Sequence, residues 1–352
     1  MSAQAAIDDF GGLIDWPSLN AWIAGRPLPG AGPVTAARKL AGGVQNNVFL
    51  LERGGASLVM RRPSKHLRAN SNETMLREAR ILAALTGSAV PHPTVYAVCD
   101  DPAIIGACFY LMSPLEGFAP GGQLPGRYAT DAAWRRGMGE EMVRSAAALA
   151  AVDPAAVGLQ GLGKPEDWHE RQVGRWRSQL DGYRSLPNYD AGGLPHVDEV
   201  GSWLSDHVPK DRRIGLIHGD LQFANVLFSV HSPRISGVVD WELATLGDPL
   251  LDLGWVLGSW WEKGDPDGKR PLVVPWEDFM SRAELAALYG EITGRSLEEL
   301  PWYFTLACYK LACLLEGTYA RSRTGQMPAH IGEQIRAYGI CQMRKAMQII
   351  AG

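Results

Sequence analysis

Residues 216–228 read LIHGDLQFANVLF, and a further apolar run, GVVD at 237–240, ends on a second aspartate. His218, Asp220 and Asn225 therefore sit between hydrophobic stretches that would pin the ends of a loop and fix the orientation of its polar middle. Asp240 follows Asp220 by 20 positions (240 − 220). Two carboxylates and an amide on a rigid loop and a nearby strand end make an oxygen-rich site. Hard oxygen donors suit Mg²⁺, which keeps several waters and accepts one or two protein oxygens plus substrate phosphates. No second His and no Cys lies close enough in sequence to favour zinc. Asp and Asn also favour plain turns. A single such residue would be read that way, but the full set in this order argues for chemistry.

A second set of groups lies upstream. In MLREARILAAL, Glu78 falls three residues after Met75 and four before Leu82, which puts a carboxylate on the apolar face of a helix. A buried carboxylate without a partner is costly, so a cation should face it. The strand-like run LVMR offers Arg61, with Arg62 as the rival.

The elements that must position these groups change character along the chain. NVFLLE and SLVMR, separated by Gly54-Gly55, read as a hairpin. NSNETMLREARILAAL (70–85) reads as a capped helix, and TVYAVC and CFYLMSPL as two more strands. From about 128 the pattern turns helical, over 134–153, 166–183, 196–208 and the tail, with 214–240 as the one β-rich island. This predicts an α+β chain: a small sheet-plus-helix lobe over 1–112, a connection at 113–117, and a larger, mainly helical lobe over 118–352.

Composition excludes several classes. The 352 residues are 46% hydrophobic and 20% charged, with a net charge of −4, so neither disorder nor a phosphate-backbone-binding surface is expected. Nucleic acid is therefore not an expected partner. No run approaches the ~18 apolar residues of a membrane span, and MSAQAAIDDF lacks the basic-then-apolar order of a secretory signal. Five cysteines without CxxC pairing fit reduced, buried thiols in a cytoplasmic protein.

H-G-D-x-x-x-x-N followed by a strand and Asp resembles the kinase catalytic set. With Gly after His, and DWE after the strand, it is similar to the aminoglycoside-phosphotransferase family, which has a bilobal protein-kinase-like fold. The resemblance implies phosphorylation of a small molecule's hydroxyl, with ATP as donor (GTP the alternative) and Mg²⁺ as cofactor. It implies Asp220 as the base at the hydroxyl, and Asn225 and Asp240 as magnesium ligands. Asp252, in GDPLLDLGW (247–255), would brace the catalytic loop, and His218 would hold it structurally. Arg61 stands where a phosphate-gripping Lys is expected, paired with Glu78. The phosphate loop would lie in AGGVQNN (41–47), through backbone N–H groups of Gly43, Val44, Gln45, Asn46 and Asn47, although two adjacent glycines are an equally good hairpin turn. In FYLMSPLEG the backbone of Met112, Ser113 and Leu115 would contact the adenine.

The acceptor pocket would come from the late helices, with Trp255, Lys310, Glu316 and Arg321 among its groups. An aromatic, partly basic pocket suits an acyl or anionic acceptor better than a polyamine. VMRRP, REARIL, DWELATLGDPLLDLGW and EGTYAR are similar to the subgroup of kinase-like domains fused to some acyl-CoA dehydrogenases, which implies a hydroxyacyl-CoA as acceptor. An aminoglycoside, a macrolide or another small alcohol is the alternative. A nucleotide-binding pseudokinase scaffold is the third reading, and the intact Asp220, Asn225 and Asp240 count against it.

Overall fold

The computed structural model describes residues 8–40, 46–65, 67, 69–190, 193–266, 271–325 and 327–352. The chain divides into two units, Met1–Glu116 with Ser236–Glu242, and Gly117–Ile235 with Leu243–Gly352. One change of unit falls between Glu116 and Gly117, and residues 236–242 belong with the first unit.

The first unit contains α1 (Trp16–Ile23), β1 (Ala36–Lys39), β2 (Asn46–Arg53), β3 (Ala56–Pro63), α2 (Ser71–Ala84), β4 (Val95–Cys99) and β5 (Phe109–Met112). Its sheet is antiparallel in the order β1-β2-β3-β5-β4. β2 alternates partly buried and buried residues, so Phe49 and Leu51 enter the core beside Leu58 and Met60 of β3. The expected hairpin turn is present, with Gly54 and Gly55 at φ 52° and 79°. A Cβ on Gly54 would lie 2.3 Å from the backbone of Ala31, so only glycine fits there. α2 buries Met75, Glu78, Ala79, Ile81 and Leu82 along one face. Asn70 stands at its N-cap but makes no capping bond. α1 is only eight residues long, too short for its apolar spacing to stand out. It forms because Asp15 accepts the Ser18 N–H and because Leu19 and Ile23 complete the core of this unit.

The second unit runs through β6 (Gly122–Gln123), α3 (Gly126–Thr130), α4 (Ala132–Ala150), α5 (Arg171–Tyr183), α6 (Val197–Asp206), β7 (Gly215–Ile217), a 3₁₀ turn at Phe223–Asn225 and β8 (Val226–Phe228). β9 (Ile235–Val238) carries the chain back to the first unit. Then follow β10 (Thr245–Gly247), α7 (Leu250–Ser259), β11 (Val273–Val274), α8 (Arg282–Thr293), α9 (Leu300–Ser322) and α10 (Ala329–Ile350). β7 and β10 pair antiparallel, which brings the start of the HGD loop beside the GDP segment. The helix expected over 166–183 begins only at Arg171. Asp167 sits at φ 48°, outside the helical region, and residues 166–170 form a turn. All five cysteines are free and buried. Among the described residues no helix is long and apolar enough to cross a membrane.

Two features hold α7 and α9 together beneath that pair of strands. At Gly254 an added Cβ would stand 2.6 Å from the Tyr303 carbonyl oxygen, so the absence of a side chain lets the helices close. At the foot of α7, Asp248 is fully buried and accepts from Arg295 Nη2 (2.9 Å), the Tyr303 hydroxyl (2.7 Å) and the N–H groups of Arg213 and Leu250 (3.0 Å each). Burial works to raise this carboxyl, but the hydrogen bonds from His169, Arg295 and Arg213 hold it well below the usual carboxylate range. The stability it contributes is therefore present above its unfolded-state pKa, about 4, and is lost as pH falls toward the depressed folded value. The urea midpoint measured across the acid limb should drop as pH falls below about 4. Asp248→Asn should be less stable at neutral pH and should flatten that limb.

Candidate active site

In the first unit, α2 and β3 bring together what the sequence paired. Arg61 donates from Nε to Glu78 Oε2 at 2.9 Å and from Nη2 to Glu78 Oε1 at 3.0 Å, a bidentate contact. The same Nη2 reaches Asp240 Oδ1 at 2.9 Å. Glu78 is 1% exposed, so the pair forms away from water. Burial works against the charge on Arg61, and the carboxylates of Glu78 and Asp240 raise its pKa well above the ordinary value. The Glu78 carboxyl is pushed up by burial and by Asp240 and Glu242, with Arg61 opposing. Tyr110 adds a weaker hydrogen bond to Glu78 at 3.4 Å. Arg62 is not the partner: it is buried on the other side of the strand and donates to the Leu13 carbonyl.

Asp240 belongs to this unit because its segment is tied there. The Val238 N–H donates to Pro91 O (2.8 Å), and Arg77 reaches Glu242 O (3.3 Å). Asp240 takes φ 67°, a left-handed conformation that Asp tolerates better than most residues. Glu78, Asp240 and Glu242 can each bring one oxygen within 4.8 Å of the others. Three carboxylates against one guanidinium is a donor set whose chemistry fits a divalent cation. Glu242 was not singled out from the sequence, although it stands in the DWE triplet only two residues beyond Asp240.

In the second unit the HGD loop is clamped from below by α7. Asp252 is fully buried and accepts the His218 N–H through Oδ2 and the Gly219 N–H through Oδ1, both at 2.8 Å. Burial pushes its carboxyl up to about 6, against the two N–H bonds and the Lys310 charge. Gly219 sits at φ 79°, and a Cβ there would meet Leu243 O at 2.9 Å, so the position after His218 accepts no side chain. His218 is fully buried, and its Nδ1 receives the Asp220 N–H at 3.3 Å. The Asp220 carboxylate is held by Gln222 Nε2 (2.5 Å) and Asn225 Nδ2 (2.7 Å), while Asn225 Nδ2 also reaches the Asp220 carbonyl (2.9 Å). With its nitrogen committed to Asp220, the Asn225 amide has only its oxygen to offer a cation. Gln222 is a positioning group that hides among the variable places of the motif.

Other expected residues are placed differently. Gly43, Val44 and Gln45 lie outside the described residues. Asn47 is buried and donates to Pro63 O at 3.4 Å, bracing the hairpin, and Asn46 lies opposite Pro63 in the β2–β3 register. Met112 ends β5. The Ser113 N–H donates to Thr94 O at 2.8 Å and its hydroxyl accepts the Thr94 N–H at 2.9 Å, so that backbone N–H is already engaged. The Leu115 side chain packs where Gly237 lacks one.

The expected acceptor pocket is corrected. Trp255, Lys310 and Glu316 lie in the interior rather than on a cleft, because α7 and α9 are both buried along most of their length. Lys310 donates to Gly219 O at 2.5 Å, and its ammonium stands 4.5 Å from the centre of the Trp255 ring. Glu316 accepts from the Tyr189 hydroxyl at 2.8 Å, and Arg321 donates to Thr318 Oγ1 at 3.0 Å. A cleft of about 640 Å³ elsewhere in this unit is lined instead by Trp261, Trp276, Val274, Pro275, Lys263 and Glu277.

Comparison with known proteins agrees with this geometry. A model of the phosphotransferase enzyme family (APH) matches residues 36–287, and the chain belongs to that family. Mouse acyl-CoA dehydrogenase family member 10 is 30% identical over 297 residues, a match covering 83% of this chain but 27% of the mouse protein. The chain thus spans about a quarter of that relative. A solved Ralstonia eutropha chain, named as a candidate aminoglycoside phosphotransferase, is 28% identical with a TM-score of 0.77, covering 95% of this chain and 98% of its own. Aminoglycoside phosphotransferase APH(4)-Ia, solved with ADP and hygromycin B, shares the fold at 18% identity and a TM-score of 0.58, covering 91% and 96%. The expected α+β, protein-kinase-like fold is the fold of these neighbours.

The Arg61–Glu78 pair carries a stability prediction. Arg61→Met leaves a buried carboxylate without its cation and should cost about 3–5 kcal/mol. Adding Glu78→Leu should recover a large part of that loss. Urea unfolding of the single and double variants checks it, and a double variant no more stable than Arg61→Met would contradict it.

Proposed function

We propose that the chain transfers the γ-phosphoryl group of ATP to the hydroxyl of a small molecule, with a hydroxyacyl-CoA as the favoured acceptor class. The observation that carries this reading is the clamped loop. Asp220 is presented on a backbone whose N–H groups at His218, Gly219 and Asp220 are engaged, and it is steered by two side-chain amides. That suits a carboxylate which must meet one hydroxyl in one orientation.

On this reading the first unit serves the nucleotide and the second the acceptor. Arg61 neutralises phosphate charge, and Glu78 fixes the direction of its guanidinium fork. In the first unit Asp240, with Glu242 beside it, would be a magnesium ligand; in the second, the family resemblance gives the Asn225 amide oxygen that role. A bound magnesium supplies positive charge to phosphate oxygens. Asp220 orients the hydroxyl and accepts its proton as the oxygen attacks phosphorus in line with the departing ADP. Most of the acceleration then comes from positioning and electrostatics.

The finer choice of acceptor is supported by two things. The mouse relative carries the name of an acyl-CoA dehydrogenase, and the second unit's cleft has an aromatic wall of Trp261 and Trp276, with Lys263 and Glu277 also lining it. An apolar chain with anionic groups suits such a wall better than a polycation does. The likeness to the Ralstonia chain favours the second reading, an antibiotic phosphotransferase.

The test is magnesium-dependent transfer from ATP, and separately from GTP, to hydroxyacyl-CoAs of several lengths, aminoglycosides, a macrolide and small alcohols, read by mass spectrometry. Gain of one HPO₃ on a hydroxyacyl-CoA is the expected result. A gain only on an antibiotic establishes the second reading, and tight ATP binding with no transfer anywhere argues for a scaffold. Asp220→Asn should lower kcat by ~10²–10⁴ while leaving Mg²⁺-ATP affinity unchanged. Full activity in that variant would remove Asp220 from the chemistry. Asp240→Asn, which keeps a side chain tolerant of the left-handed backbone, should lose the metal-dependent part of nucleotide binding in calorimetry.

A further inference from the structure

Lys310 is a charge that the mechanism above leaves unused. It sits in the middle of α9, is 5% exposed, and reaches the catalytic loop from beneath. Its Nζ donates to the Gly219 carbonyl at 2.5 Å, and its ammonium lies over the faces of Trp255 (4.5 Å) and Trp176 (5.5 Å). A Cβ on Gly219 would stand 3.2 Å from Nζ, so the ammonium fills the space that the missing side chain leaves. A buried ammonium is costly. Burial lowers its pKa, and the charges of Asp220 and Asp252 oppose that shift.

The consequence is a peptide held at both ends. The Gly219 N–H is taken by Asp252 and its carbonyl by Lys310, while the Asp220 N–H is taken by His218. Rotation of the Gly219–Asp220 peptide would swing the Asp220 side chain off its direction. Glycine, with its left-handed φ, is the residue for which that rotation is sterically easiest. A strong charge-assisted bond on the carbonyl is what opposes it.

We infer that Lys310 is a positioning residue that fixes the aim of the Asp220 carboxylate through the Gly219 carbonyl. The kinetic part of this inference rests on the phosphotransfer reading, whereas its structural part does not.

The experiment uses the full chain, its Lys310→Met and Lys310→Arg variants, and Asp220→Asn alone and combined with Lys310→Met. Hydrogen exchange of peptides covering 216–225 comes first, because it needs no turnover. Lys310→Met should exchange faster than wild type over 218–222, with protection of α7 and α9 retained, and Lys310→Arg should exchange more slowly than Lys310→Met. Unchanged exchange in the loop would overturn the inference. So would an equal loss of protection along α7 and α9, which would make Lys310 a packing residue only.

With the acceptor identified by the panel, Lys310→Met should lower kcat on the order of 10²-fold with KM for ATP little changed. Lys310→Arg should recover part of that loss. In the background of Asp220→Asn the Lys310→Met change should cost nothing further, since both act on one group. Full additivity there, or equal kcat in the Met and Arg variants, would overturn the role. A wild type that turns over no acceptor counts against the phosphotransfer reading, and hydrogen exchange then decides the positioning claim alone.

Discussion

A carboxylate taken out of water must find its donors inside the protein, and the architecture around the candidate site follows from three that do. Asp252 finds them on the HGD loop, Asp248 on Arg295, Tyr303 and neighbouring backbone, and Glu78 on Arg61. In each case the partner lies far away in sequence, so satisfying the charge joins segments that nothing local connects. The Asp252 clamp is the one on which most depends. Two backbone N–H groups converge on one side chain only if the loop takes a single shape, and that shape requires glycine at 219. Once the loop is held, the directions of His218, Asp220 and Asn225 are no longer independent.

The same logic explains how rigid and responsive parts coexist. Groups that only brace, such as Asp248, Asp252 and His218, are wholly buried. Groups expected to meet phosphate or hydroxyl, such as Asp220 and Asp240, retain exposure and are steered by neighbours. Asp240 goes further and holds a left-handed backbone, which costs on the order of 1–3 kcal/mol and persists only where surrounding contacts enforce it. Such strain, kept beside a cluster of carboxylates, is a feature of working sites more than of scaffolding.

Much of this was legible before any coordinates. The hairpin announced itself through two glycines between alternating runs. The Arg61–Glu78 pair followed from a carboxylate misplaced on an apolar face, a local anomaly that helical spacing exposes. The loop was legible because several chemically capable residues fell in one short stretch. Gln222 and Glu242 were harder to see, since a lone Gln or Glu beside a motif is ordinary. The late aromatics misled for a related reason. Trp255, with Lys310 and Glu316, has the composition of a pocket, and composition alone does not tell a pocket wall from a core.

What the sequence determined by itself is the inventory and its local order: which charges exist, which helical face or strand end bears them, and where the backbone must turn. Periodicity and turn chemistry act over a few residues, and a single chain displays them fully. What only the tertiary structure decided is which distant charge answers which. Residues 236–242 joined the first unit because Arg61, Arg77 and Pro91 hold them there. Lys310 reaches the Gly219 carbonyl because α9 packs closely against α7. Long-range pairing depends on how whole elements pack, and no spacing within one segment encodes that distance.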